Sequence, residues 1–393
     1  MRHVGDRERR RRLARRHALA PAHRVASPEA ATRAMTVLHA TEAPSIYLSS
    51  WARVDGLEVA DVDRALYEDR TVVKQLAMRR TLFLFPRDLL CAAWGSASAR
   101  VAAAHRARLA KDVAQGGLAA DGAAWVDAAE RAVLAHLADG VERSARQLRE
   151  EVPALAGHIE TSPGRPYGAV TPIAPRLLTQ LGVEAKIVRG HNGGHWRTPR
   201  PRWTTMTHWL GEVPPPTTAR EGYAELIRRW LASFGPGTEA DLAWWLGATK
   251  SAVRAALADV AAVEVTLDGG SVGWLLPDDL EPEPEVEPWG ALLPVLDPTV
   301  MGWKERGFYL GEHGPRLFDT NGNAGTTVWW DGHVDGCSVQ DPDGVVVLHL
   351  LEDVGADARA HLDGEARRLT TWLDGHRVST SYPSPAMREA VLP

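Results

Sequence analysis

The run 223-YAELIRRWLASF-234, followed by 238-TEADLAWWLG-247, 249-TKSAVRAALADV-260 and 263-VEVTLDGGSVGWLLP-277, decides the fold. Apolar residues recur at helical spacing in the first three pieces, and Thr238 stands where an N-cap belongs. The fourth piece is β-rich on both sides of Asp268, Gly269 and Gly270, which is hairpin chemistry. Three helices and a β-hairpin in this order make a helix-turn-helix with a wing.

The same outline recurs upstream. Around 124-AWVDAAERAVLAHL-137, helices are expected at 124–137, Ser144 to Glu151 and Ile173 to Leu181. A strand at 183-VEAKIV-188 then turns and returns at 195-HWRTP-199. Nearer the N-terminus, 27-SPEAATRAM-35 offers Ser27 as N-cap, Pro28 at the first helical position and Glu29 in the first turn. Helices follow near Val59 to Asp69 and Thr71 to Met78, then a short strand at 81-TLFLF-85 is stopped by Pro86. The expected class is α+β: three tandem winged helices and a C-terminal β-barrel. Boundaries fall at 1–24 (basic N-terminal tail), 25–120, 121–216 and 217–277 (winged helices), 278–288 (linker) and 289–393 (barrel with a helix at 355–373).

The linker rests on 278-DDLEPEPEVEPW-289, whose alternating Pro and Glu can neither continue a helix nor pair in a sheet. The barrel rests on the turn-rich, strand-rich run that includes 326-TTVWW-330 and 337-CSVQDPDGVVVLHL-350. In it, Asn321 and Asn323 read as turn formers. With 393 residues, 45% hydrophobic and 24% charged, the chain has material for several cores, which excludes a disordered or fibrous protein. Cys91 and Cys337 match neither a disulfide framework nor zinc spacing, so no metal is expected. No long uncharged apolar stretch occurs, and a cytoplasmic protein without membrane contact is expected.

The net charge of −5 argues against a uniformly basic nucleic-acid binder, so DNA contact has to come from local asymmetry. Nine arginines lie within residues 1–24, as a solvated tail or a DNA-contacting arm. Between Glu184 and Glu212 there is no acidic residue, while Lys186, Arg189, Arg197, Arg200 and Arg202 accumulate around a tip bearing His191, Asn192, His195 and Trp196. Such a hairpin suits phosphate neutralisation and groove insertion; the alternative is a wing that touches another domain. The third helix of the 223–277 unit offers only Lys250 and Arg254 among alanines, too little to read base edges in a major groove. Fifteen Trp against five Phe is unusual, but Trp230, Trp244 and Trp245 at helical spacing read as core.

In 35-MTVLHATEAPSIYLSSWARV-54, His39, Thr41 and Glu42 cluster where the chain leaves regular structure ahead of Pro44. By residue type alone, a satisfied loop histidine beside a capping threonine is the simpler reading. The segments 38-LHATEAPSIYLSSWARV-54, 61-DVDRALYEDRTVVKQLAMRRTLFLFP-86, 292-LLPVLDPTVMGWKERGFYL-310, 318-FDTNGNAGTTVWWDGHVDG-336 and 377-RVSTSYPSPAM-387, however, resemble the bacterial winged-helix DNA glycosylases typified by AlkZ and YcaQ, in order and over about residues 25 to 390. The resemblance implies a concave DNA-binding surface and excision of alkylated purines from double-stranded DNA, including bulky natural-product adducts, by a monomer that serves repair or self-resistance. Where that family carries Gln-x-Gln or Gln-x-Asp, this chain has His39, Ala40 and Thr41, followed by Glu42.

Chemistry tolerates the exchange. A purine alkylated at N7 or N3 is cationic and leaves neutral, so no base protonation is needed. A monofunctional hydrolase without cofactor then requires only a group that stabilises an oxocarbenium-like sugar and positions water. Glu42 is expected to supply the charge, neutral His39 to orient the water and Thr41 to add a hydrogen bond. The motif holds no lysine for a Schiff base. Arg79 and Arg80 resemble a family block near the active surface, the plainer reading being an arginine pair at a solvated helix end. A non-catalytic winged-helix DNA-binding protein, a regulator or lesion sensor, is the competing expectation.

Overall fold

The computed structural model describes residues 1–161 and 169–391. A first strand, β1 (Arg2–Val4), leads into a helix over Asp6–Arg16, with Asp6 and Glu8 in the first turn and Arg15 and Arg16 in the last, the arrangement that the helix dipole favours. Repulsion among the arginines is relieved from far along the chain. Arg12 bonds Glu8 at 2.8 Å and Asp279 at 2.9 Å, and Arg16 clamps Asp279 at 2.6 and 2.5 Å. Arg15 reaches Glu283 at 2.6 Å, while Arg7 and Arg11 reach Glu285. The N-terminal run is therefore neither a solvated tail nor a free DNA arm. The acidic segment 278–288, which forms no helix or strand, is its counter-charge.

Ser27 caps the helix Pro28–Ala34 by accepting from the Ala30 amide. Then β2 (Leu38–His39), β3 (Val72–Leu76) and β4 (Leu82–Pro86) form an antiparallel sheet in the order β2-β4-β3. The helices Ala43–Trp51 and Val59–Asp63 lie between β2 and β3. Within the helix expected over Thr71 to Met78, Val72–Leu76 is a strand instead. Its β-branched Val72 and Val73 suit a pleated surface, and pairing with β4 (Val73 with Phe85, Gln75 with Phe83) overrides the helical periodicity. In the β3–β4 turn, Arg79 and Arg80 both adopt left-handed backbone, with φ of 53° and 60°.

The next unit has helices Ala99–Gln115, Gly122–His136, Ala145–Glu151 and Ala174–Val183, with short strands β5 (Arg143–Ser144), β6 (His158–Thr161) and β7 (Ala169–Pro172). It ends in the hairpin of β8 (Ile187–Asn192) and β9 (Pro201–Thr205), around a separate apolar core that includes Val126, Leu148, Leu177 and Trp203. The return strand starts at Pro201, later than HWRTP, because Asn192 organises the intervening loop. Its amide donates to the carbonyls of His195 (3.0 Å) and Thr198 (3.1 Å), and its oxygen accepts from the Arg200 N–H (2.7 Å).

The helices Ala219–Phe234, Glu239–Leu246 and Lys250–Asp259 follow, each begun by a threonine cap (Thr218, Thr238, Thr249). The hairpin of β10 (Val263–Leu267) and β11 (Val272–Leu275) closes this unit, with Gly269 and Gly270 at positive φ in its turn. On the other side of β10, β1 pairs in parallel, Arg2 opposite Val265. Among the described residues the C-terminal strands β12 (Gly290–Leu293), β13 (Thr327–Trp330), β14 (His333–Gln340) and β15 (Val346–Leu350) form an open antiparallel meander, not the expected closed barrel. The helix Ala356–Leu373 packs against the two outer strands, β12 and β15, which gives the sheet cover without closure. One continuous core joins this region to the first and third units, through Ile46, Phe85, Trp230, Trp303 and Trp329 among others.

Candidate DNA-binding cleft

Consecutive side chains of the 39–42 segment diverge. In the β2–β4 ladder His39 lies opposite Phe83, the two rings 5.0 Å apart and edge to face, and His39 is 5% exposed. Burial, with a smaller push from the Arg79 charge, holds its imidazole at about 3, so the ring is neutral. His39 is thus a core residue and cannot orient a surface water, which corrects its expected role. Thr41, past the end of the strand, is exposed. It lines a narrow recess with Tyr47, Tyr67, Lys74, Arg189 and Trp196. Glu42 turns to the other side, where its carboxylate accepts from the Thr380 hydroxyl (2.8 Å) and the Ser381 amide (2.5 Å). There it walls a cavity of about 460 Å³ whose lining includes Leu48, Val295, Val339, Leu369 and Met387. Thr41 and Glu42 flank one stretch of backbone, and the three side chains do not converge.

The β8–β9 hairpin is less basic than its sequence suggests, because acids arrive from elsewhere in the chain. Lys186 is held by Glu130 and by Glu184 (3.0 Å), and His191 by Glu142 (2.6 Å). Trp196 is buried against Tyr47 and Trp372, Arg197 donates to the Arg377 carbonyl, and the His195 ring lies 4.7 Å from that of His376. The tip is therefore docked on the C-terminal segment, and Asn192 is spent on its loop. Among the described residues Arg189, Arg200 and Arg202 have no ion-pair partner; Arg200 and Arg202 are exposed. Arg189 stacks over Trp203 at 5.2 Å, and burial keeps it below the usual arginine range.

Arg80 is exposed in the β3–β4 turn. Arg79 lies over the Trp244 ring at 3.9 Å, with Arg306 on the same ring at 5.1 Å. Burial and then Arg306 bring Arg79 down to about 10. Two like charges lie over one indole ring with no carboxylate within ion-pair distance among the described residues, an arrangement that can receive an anion. Arg306, Lys74, Tyr47 and Tyr67 were not singled out by the sequence. For Lys74 the usable signal was strand alternation through 72-VVKQL-76, which sets Lys74 apart from Val73 and Gln75. In the recess Lys74 donates to the Tyr67 hydroxyl at 3.0 Å, and the Tyr47 hydroxyl donates to Asp63 at 2.6 Å. The result is a polar, cationic hollow beside Thr41.

The chain is similar in fold to the solved structure of the Streptomyces sahachiroi DNA glycosylase AlkZ, with a TM-score of 0.69 and 17% identity over 93% of this chain and 98% of that one. No curated protein matches it by sequence. The family model for DNA glycosylase AlkZ-like proteins matches residues 32–372, which takes in the 39–42 segment, the hairpin and the C-terminal sheet. The chain belongs to the AlkZ-like DNA glycosylase family.

Proposed function

We propose that this protein hydrolyses the N-glycosidic bond of purines alkylated at N7 or N3 in duplex DNA, bulky natural-product adducts included, in repair or self-resistance. The observation that carries the reading is the family match over residues 32–372, together with Thr41 on the wall of a hollow that Lys74 and Arg189 also line, neither of them in an ion pair among the described residues. Exposed Arg80, Arg200 and Arg202 neutralise backbone phosphates. The cationic base departs neutral, so the protein's task is to stabilise the sugar cation and deliver water. We assign the negative charge to Glu42, the carboxylate of the motif, which its bonds to Thr380 and Ser381 fix on the side of the backbone away from the Thr41 recess. The Thr41 hydroxyl holds the water.

Duplexes bearing 7-methylguanine or a bulky guanine adduct, incubated with the protein and then treated with alkali, should break at the lesion. Absence of breaks with every adduct overturns the reading. A second reading, a DNA-binding lesion sensor or regulator without catalysis, is favoured by one observation, the inward turn of His39. It expects salt-dependent binding with no base release and no effect of Glu42→Gln.

A further inference from the structure

The 39–42 segment holds no lysine, yet the sheet brings one to it. Lys74 of β3 pairs with Leu84 of β4, and Leu84 pairs with Leu38 of β2, so these side chains share one face while His39, Phe83 and Gln75 share the other. Lys74 thereby enters the same recess as Ala40 and Thr41. The chain has five lysines. Lys186 and Lys250 face carboxylates, and Lys111 and Lys304 are exposed. Lys74 is half-buried and, among the described residues, has no carboxylate within ion-pair distance. Its nitrogen donates to Tyr67 at 3.0 Å and sits 5.3 Å from the centre of that ring. Burial, then the charge of Arg189, brings its ammonium down to about 8, against a smaller opposing pull from Asp63. The other titratable neighbours are Tyr67 and Tyr47, both held well above the usual tyrosine range, chiefly by burial.

We infer that Lys74, placed beside Thr41 by the sheet register, is a nucleophile toward abasic DNA and gives this protein a lyase step after base release. The inference rests on the reading that the recess receives the damaged nucleotide. Loss of the base leaves a deoxyribose whose ring-opened form carries an aldehyde at C1′. The neutral amine attacks C1′, forming an N–C bond; the carbonyl oxygen takes up a proton, and the carbinolamine loses water to give a protonated imine. A proton then leaves C2′, and the C3′–O bond breaks with its electron pair going to the 3′ phosphate. The downstream strand is released with a 5′ phosphate, and one water hydrolyses the conjugated imine to return the amine. Water lost and water consumed balance, and no oxidant or reductant is needed. The ammonium gives up its proton to water as the pH passes about 8, and the Tyr67 hydroxyl, which stays protonated, holds the amine nitrogen in the recess by a hydrogen bond.

The test supplies a duplex with a preformed abasic site together with borohydride, so base excision is not required. The expected result is a reduced covalent adduct that peptide mass mapping places on Lys74, trapping that rises through about pH 8 and, in a parallel reaction without borohydride, nicking without alkali. Lys74→Arg keeps the positive charge and should lose adduct and nicking, while Lys304→Arg should keep both. Should Lys74→Arg melt early, mapping of the wild-type adduct still decides. No adduct with the wild type, an adduct on the Met1 amine, or an adduct that survives in Lys74→Arg overturns the inference. Excision of 7-methylguanine, revealed by alkali in a separate reaction, reports on the hydrolase reading alone.

Discussion

The Arg53 guanidinium grips the Asp297 carboxylate through bonds of 2.9 and 2.7 Å, and neither side chain is accessible to water. Ser49 donates to the same carboxylate at 2.7 Å, Thr299 donates its amide at 2.9 Å, and His17 meets the Thr299 hydroxyl at 3.0 Å. Burial alone would raise the Asp297 carboxyl; the Arg53 charge and these donors outweigh it and hold the group low. This node pins the end of the helix Ala43–Trp51, which begins beside Glu42, to the start of the C-terminal region.

Removing one partner leaves the other charge buried and alone. Asp297→Ala should therefore cost roughly 3–5 kcal/mol in urea unfolding, whereas the apolar pair Arg53→Met with Asp297→Leu should recover much of that loss. A cost near zero for the single variant would show that water reaches the node.

For Glu42, the expected outcome of Glu42→Gln is a drop of about 10²-fold or more in single-turnover base excision, with DNA affinity little changed. An equal loss of both would assign the residue to binding.

His39→Leu separates the inward ring from the chemistry. Nδ1 of His39 is a buried polar atom with no partner among the described residues, so an apolar side chain should leave stability unchanged or raise it, and excision should persist. Loss of turnover in a variant that melts normally would return His39 to the mechanism.

The salt dependence of DNA binding distinguishes free from committed cations. Arg200→Gln and Arg202→Gln should each lower the slope of log affinity against log salt by about 1, while Lys186→Gln, already balanced by Glu130 and Glu184, should not. Fluorescence anisotropy across a salt series reads this directly.

Asp335 predicts a pH-dependent stability. Burial, then the neighbouring Glu352, pushes its carboxyl up to about 7. The folded state thus holds a proton that the unfolded chain releases near pH 4, so stability is full below about 4 and is lost as pH rises through about 7. Because the buried His17 and His39, held neutral at about 3, act in the opposite direction below about pH 6.5, the readout is the comparison with Asp335→Asn: from pH 5 to 8 the wild type should lose melting temperature relative to that variant.

Features that depend on near neighbours in the chain are legible from residue order. Thr218, Thr238 and Thr249 start their helices through bonds to amides within the first turn, and Gly269 and Gly270 supply the positive φ of the hairpin, so the 219–275 unit was legible as written. The segments that carry the family resemblance were legible too. The tertiary structure decided what depends on through-space partners. Val72–Leu76 became a strand because Phe83 and Phe85 lie across from it, and the C-terminal strands stayed an open sheet because a helix covers the outer strands. Charge followed the same rule: the N-terminal arginines were neutralised by Asp279, Glu283 and Glu285, and Lys186 by Glu130. At the site, register chose the faces, sending His39 inward and Lys74 toward Thr41. A strand's side chains alternate sides with a period of two, and which side meets the core is settled only when a partner strand pairs with it.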